Sequence, residues 1–112
     1  MEKNTYNTGQ YVFKAGEKSD KVFLLMQGEV GIFLPTNETQ KPNHRIEVNE
    51  IFGEMGVIEG KLRMADARCL SSATIMGLTK EEFEKKIENS EPFIRGLIRI
   101  LSSRVRDLQK NK

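Results

Sequence analysis

Between residues 3 and 79 the apolar positions fall in short clusters, at 11–13, 22–26, 30–34, 45–48, 65–69 and 73–78. Each cluster is rich in β-branched or aromatic residues and is bounded by Gly, Asn or Pro, which is the pattern of strands joined by tight turns. Strands this short and this closely spaced predict a barrel or jelly roll. Gly9, Gly16 and Gly28 mark turns, and the polar stretch 35–44, PTNETQKPNH, predicts a surface loop between two strands.

After residue 79 the period becomes helical. Thr79 and Glu82 have the spacing of a capping box, and Phe83 and Ile87 form an apolar i, i+4 pair on the helix that follows. Ser90 and Pro92 then punctuate the chain, the proline being suited to a first helical turn. Beyond them Ile94, Ile98, Leu101, Val105 and Leu108 recur at steps of four and three, the spacing of a short coiled-coil seam. The pattern therefore predicts one domain over 1–112, with a β-barrel at 1–79 and C-terminal helices at 80–112.

At 112 residues with net charge +2 and 30% charged residues, the chain has neither a nucleic-acid-binding signature nor a disordered one. The single cysteine, Cys69, excludes a disulfide framework and a thiolate zinc site, fits a buried inert thiol, and suits a reduced, cytoplasmic setting. No run approaches the length of a membrane span and no N-terminal segment combines a basic start with an apolar run, so no secretory leader and no membrane partner are expected. His44, in a polar stretch, cannot supply the metal-ligand cluster of a cupin-type enzyme, and no enzymatic activity is expected.

The chemistry concentrates in residues 52–65, FGEMGVIEGKLRMA. Glu54 and Arg63 stand nine residues apart around Gly53, Gly56 and Gly60. This inventory suits a sugar phosphate: backbone N–H groups free to approach an anion, a guanidinium to pair with it, and a carboxylate to accept from hydroxyls. Taken alone, the same pair is also what a surface ion pair provides. Val57, Ile58 and Leu62 read as core packing, and the basic residues after Pro92 as a solvated helix face.

The stretch resembles the phosphate-binding cassette of cyclic-nucleotide-binding domains, the sensor modules of catabolite activator proteins and protein kinase A regulatory subunits. The segment 9–33, GQYVFKAGEKSDKVFLLMQGEVGIF, is similar to the first half of such domains, and 74–109 to their last strand, short helix and long C-terminal helix. The resemblance implies a mainly β fold with C-terminal helices: a β jelly-roll barrel, a short cassette helix and a long terminal helix. It implies a regulatory module for cAMP, with cGMP as the alternative ligand and no cofactor. Glu54 would accept from the ribose 2′-hydroxyl and Arg63 would pair with the cyclic phosphate. Gly53, Met55 and Gly56 would open the cassette helix, and the Met64 and Ala65 amides would close around the anion. The C-terminal helix would be the lid and the homodimer interface.

Departures qualify the match. Met64 brings no hydroxyl to the phosphate, Asp66 would repel an anion if it faced one, Leu62 replaces a frequent proline, and Asn49 takes the place of a glycine but tolerates a left-handed turn. They leave a degenerate domain, folded and dimeric but without nucleotide, as the alternative. No helix-turn-helix follows, so no nucleic-acid partner is expected.

Overall fold

The computed structural model describes residues 1–100. Leu101, Val105 and Leu108 of the seam lie outside the described residues, as do Gln109, Lys110 and Asn111. By its internal contacts the chain divides into two compact units, Met1–Lys80 and Glu81–Lys112.

The first unit holds strands β1 (Glu2–Tyr6), β2 (Tyr11–Phe13), β3 (Lys21–Gln27), β4 (Val30–Phe33), β5 (His44–Ile46) and β6 (Ile51–Phe52). A six-residue helix α1 (Glu54–Glu59) follows, then β7 (Asp66–Cys69) and β8 (Ala73–Thr79). They form two four-stranded antiparallel sheets, ordered β1-β8-β3-β6 and β2-β7-β4-β5. Every strand in each sheet pairs with one distant in sequence except β4 with β5, which is the wound connectivity of a jelly roll.

Alternation explains the core. Phe23 and Leu25 of β3, Val30 of β4, Ala67 and Cys69 of β7 and Ile75 of β8 point inward and are buried. The residues between them, Leu24, Arg68 and Thr74 among them, are half-buried, and Val22 at the start of β3 is buried as well. Leu25 and Ile75 are at most 1% exposed, a burial that contributes roughly 1.5–3 kcal/mol for each such side chain. Cys69 is buried, which raises its thiol pKa and keeps it in the unreactive protonated form. His44 is exposed, as its polar neighbours imply.

Two strands arise where the apolar pattern marks none. β1, sequence EKNTY, is almost wholly exposed and exists because it pairs along β8, from Glu2 opposite Gly77 to Tyr6 opposite Ala73. β6 is two residues long and brings Phe52 into the core opposite Phe23. Leu62 is a correction: it is 56% exposed rather than part of the core, whereas Val57 is buried at 1%.

In the second unit α2 (Lys80–Glu88) begins directly after Thr79, where the capping signature places it, and residues 92–100 are again helical. Ile94 is exposed and Ile98 half-buried. No helix among the described residues is long and apolar enough to cross a membrane.

Candidate functional site

The local fold of 52–65 follows from its glycines. Gly53 adopts φ 78° as the residue capping the N-terminus of α1, and Gly60 adopts φ 64° as its C-terminal cap. Left-handed backbone costs little only for glycine, so α1 starts and stops where these two stand. Asn49, before β6, also has a positive φ of 75°, as its replacement of a glycine requires. The turn is then closed by the Lys61 N–H, which donates to the Gly56 carbonyl at 2.9 Å.

Arg63 is the centre of this arrangement. It is 6% exposed, the buried charged residue among those described, so it is not half of a surface ion pair. Its guanidinium donates from Nη1 to the Gly53 carbonyl and from Nη2 to the Lys21 carbonyl, both at 2.6 Å. It also lies over the Phe13 ring at 4.2 Å and near that of Phe23 at 5.7 Å. Phe13, Phe23 and Phe52 pack together with centroids 5.5–6.3 Å apart, so both sheets and the start of the cassette supply the platform beneath the charge. Burial pulls the Arg63 pKa down and the charges of Asp20, Glu17 and Glu54 push it back up, yet a guanidinium stays ionised at neutral pH. Its Nε is buried without a hydrogen-bond partner.

The loop 14–20 between β2 and β3 is bound to the cassette along its length. Gly16 N–H donates to the Arg63 carbonyl at 2.8 Å, and Arg63 N–H to the Glu17 carbonyl at 2.9 Å. Asp66 is engaged within the protein: its Oδ1 accepts from Ala15 N–H at 2.8 Å, so it anchors this loop. These partners were invisible to a reading of residues 52–65, since most are backbone atoms. The Gly16-Glu17 pair within the segment resembling the family was the available signal.

Glu54 stands apart from Arg63, with no ion pair between them. Burial raises its carboxyl pKa, opposed by its own backbone N–H and by the Arg63 charge. A glutamate desolvated without a cation against it weakens the fold when ionised. That penalty is absent below the ordinary value of 4.5 and fully present above the raised one. Glu54→Gln should therefore gain stability over the wild type as pH rises above 4.5, while weakening any hydroxyl contact the carboxylate makes. Denaturant melts at pH 4 and pH 7 test it, and a variant less stable at pH 7 would show the carboxylate is stabilising.

Of the other expected residues, Met55 and Gly56 are half-buried in α1, Ala65 is buried, and Met64 is 41% exposed. A cavity of about 380 Å³ reaches Arg63 from the side of β1 and β3, lined also by Tyr6, Phe13, Asp20, Lys21 and Phe23. Gly53, Glu54, Met55, Gly56, Met64 and Ala65 do not line it. The fold thus joins Arg63 to Gly53 directly and leaves Glu54 as a separate, half-buried carboxylate. No cluster of three or more metal-ligating side chains occurs among the described residues.

Residues 3–90 match the family model of the cyclic nucleotide-binding domain. Similar curated proteins include a cAMP-dependent protein kinase regulatory subunit of Emericella nidulans, 24% identical over 90 residues. A cGMP-dependent protein kinase of Drosophila melanogaster, isozyme 2, is 25% identical over 93 residues. Each alignment covers 80% of this chain, which spans only 21% and 10% of those proteins' lengths. Among solved structures, the fold is similar to the cAMP-bound form of the EAL enzyme Bd1971, with TM-score 0.80, 24% identity, and coverage of 98% of this chain and 29% of that one. It is equally similar to the Thermus thermophilus catabolite activator protein, with TM-score 0.80, 22% identity, and coverage of 98% and 52%.

Proposed function

The chain belongs to the cyclic nucleotide-binding domain family, and from that premise we propose that it binds a cyclic nucleotide, cAMP before cGMP, at residues 52–65 as a regulatory module. The observation that supports this most is the buried guanidinium of Arg63, which keeps an unpartnered Nε beside a glycine-built cassette. Such a group is satisfied by an anion, and a cyclic phosphate carries one negative charge. Glu54, a half-buried carboxylate without a cation against it, suits a ribose hydroxyl donor. The names of the similar proteins, a cAMP-dependent kinase subunit and a cGMP-dependent kinase, support the ligand class and leave the base open.

Selectivity for cAMP rests on Met64. The position after the arginine has no hydroxyl to hold the guanine amino group, so cAMP should bind more tightly than cGMP. Titration calorimetry with both nucleotides measures this, and equal or reversed affinities would refute the selectivity. Absence of binding by either would favour the second reading, a domain that keeps the fold without the ligand. One observation supports that reading: both terminal nitrogens of Arg63 are already occupied by backbone carbonyls.

The signal would leave through the C-terminal helix, with no catalysis in this chain. Ile94, Ile98, Leu101, Val105 and Leu108 would form a homodimer seam. Sedimentation at tens of micromolar should then give the dimer mass, and a monomer at that concentration would remove the seam from the proposal.

A further inference from the structure

Two buried side-chain polar atoms among the described residues have no hydrogen-bond partner: Arg63 Nε, already placed in the site, and Ser19 Oγ. Ser19 belongs to the loop 14–20, and its side chain lies against Gly56 in the first turn of α1. A Cβ on Gly56 would run into Ser19 Oγ, would stand 2.8 Å from Ser19 Cβ, and would stand 2.9 Å from the Lys61 carbonyl oxygen. The Ser19 hydroxyl and the Lys61 carbonyl therefore flank one vacant point, each within 3.0 Å of it. The absent side chain at Gly56 is what allows them to approach. The Lys61 carbonyl accepts no hydrogen bond there from the described residues, and a hydroxyl can rotate toward an acceptor that moves into its reach.

The neighbouring contacts of the same loop are already made: Gly16 N–H to the Arg63 carbonyl, Arg63 N–H to the Glu17 carbonyl, and Ala15 N–H to Asp66. Ser19 to Lys61 is the contact left unmade, and Lys61 stands two residues before the arginine that would meet the phosphate. A buried donor left unmet is costly, and each such group in a folded protein calls for an explanation.

We infer that Ser19 is a positioning residue of the cassette, whose hydroxyl donates to the Lys61 carbonyl once a ligand anion draws Arg63 and its turn inward. This rests on the reading of 52–65 as the nucleotide site. Ser19 touches no ligand atom; the bond holds the turn 60–63 closed behind the bound phosphate. Because it forms only after entry, it slows release and leaves association alone.

The experiment follows a fluorescent cAMP analogue by stopped flow, with dissociation chased by unlabelled cAMP, in wild type and Ser19→Ala. The expected result is dissociation about three- to tenfold faster in Ser19→Ala, the effect of one hydrogen bond. The association rate is unchanged, and the ligand-free melting temperature is unchanged or higher, since a buried unmet donor has been removed. Equal dissociation rates overturn the inference and leave the nucleotide site standing. Faster dissociation with a lowered ligand-free melting temperature also overturns it, assigning Ser19 to packing. If wild type fails to bind the analogue and cAMP at millimolar concentration, the nucleotide reading fails and this inference fails with it.

Discussion

Arg63→Ala should lower affinity for cAMP by at least about thirtyfold and the melting temperature by roughly 10 °C or more. The first figure follows from leaving a buried phosphate without its cation, about 2–5 kcal/mol at ~1.4 kcal/mol per tenfold in affinity. The second follows from the ligand-free structure, where the guanidinium donates to the Gly53 and Lys21 carbonyls and rests on Phe13. Hydrogen bonds to charged groups contribute roughly 1.5–3 kcal/mol each, and 1 kcal/mol shifts the melting temperature of a small domain by about 4–8 °C. Arg63 is therefore a structural tie between the cassette and β3 as well as the proposed ligand residue. Arg63→Lys separates the two roles: a single ammonium cannot span both carbonyls, so stability should fall, while a positive charge still attracts the anion. An Arg63→Ala protein that is folded by circular dichroism and binds cAMP unchanged would show that the phosphate is held elsewhere.

Gly53→Ala should destabilise the fold by about 2–4 kcal/mol and weaken binding through displacement of Arg63. Alanine at φ 78° costs roughly 1–2 kcal/mol for the left-handed backbone alone. Its Cβ would also stand 2.8 Å from Arg63 Nη1 and 3.1 Å from a Phe13 ring carbon, so the guanidinium or the ring must shift. Gly60→Ala is the control. Gly60 has φ 64° but nothing within 4 Å of a Cβ, so that substitution carries the backbone strain without the collision. Denaturant melts and cAMP titrations of the two variants should show Gly53→Ala as the worse in both. Equal effects would mean that contact with Arg63 does not matter at this position.

Much of the barrel was legible because strands buried on one face must alternate. The clusters at 11–13, 22–26, 30–34 and 73–78 coincide with β2, β3, β4 and β8 to within a residue at each end. The change of period after Thr79 marked the start of α2 equally well. β1 was not legible: EKNTY has one half-buried residue, and its strand conformation is imposed by the free edge of β8. Leu62 was misread as core because an apolar residue beside a buried one looks the same in sequence whether its turn faces inward or outward.

In the candidate site, the inventory of 52–65 was set by the sequence alone, while the structure showed that Gly53 and Gly60 hold left-handed backbone, which only glycine takes at little cost. The same local chemistry named Glu54 and Arg63 without placing them. Only the tertiary structure decided that Arg63 is buried on Phe13 and tied to Lys21, that Asp66 turns to Ala15, and that Glu54 has no cation against it. Those outcomes depend on carbonyls, rings and a loop that lie tens of residues away, and a charged side chain settles wherever the fold offers partners that replace its water.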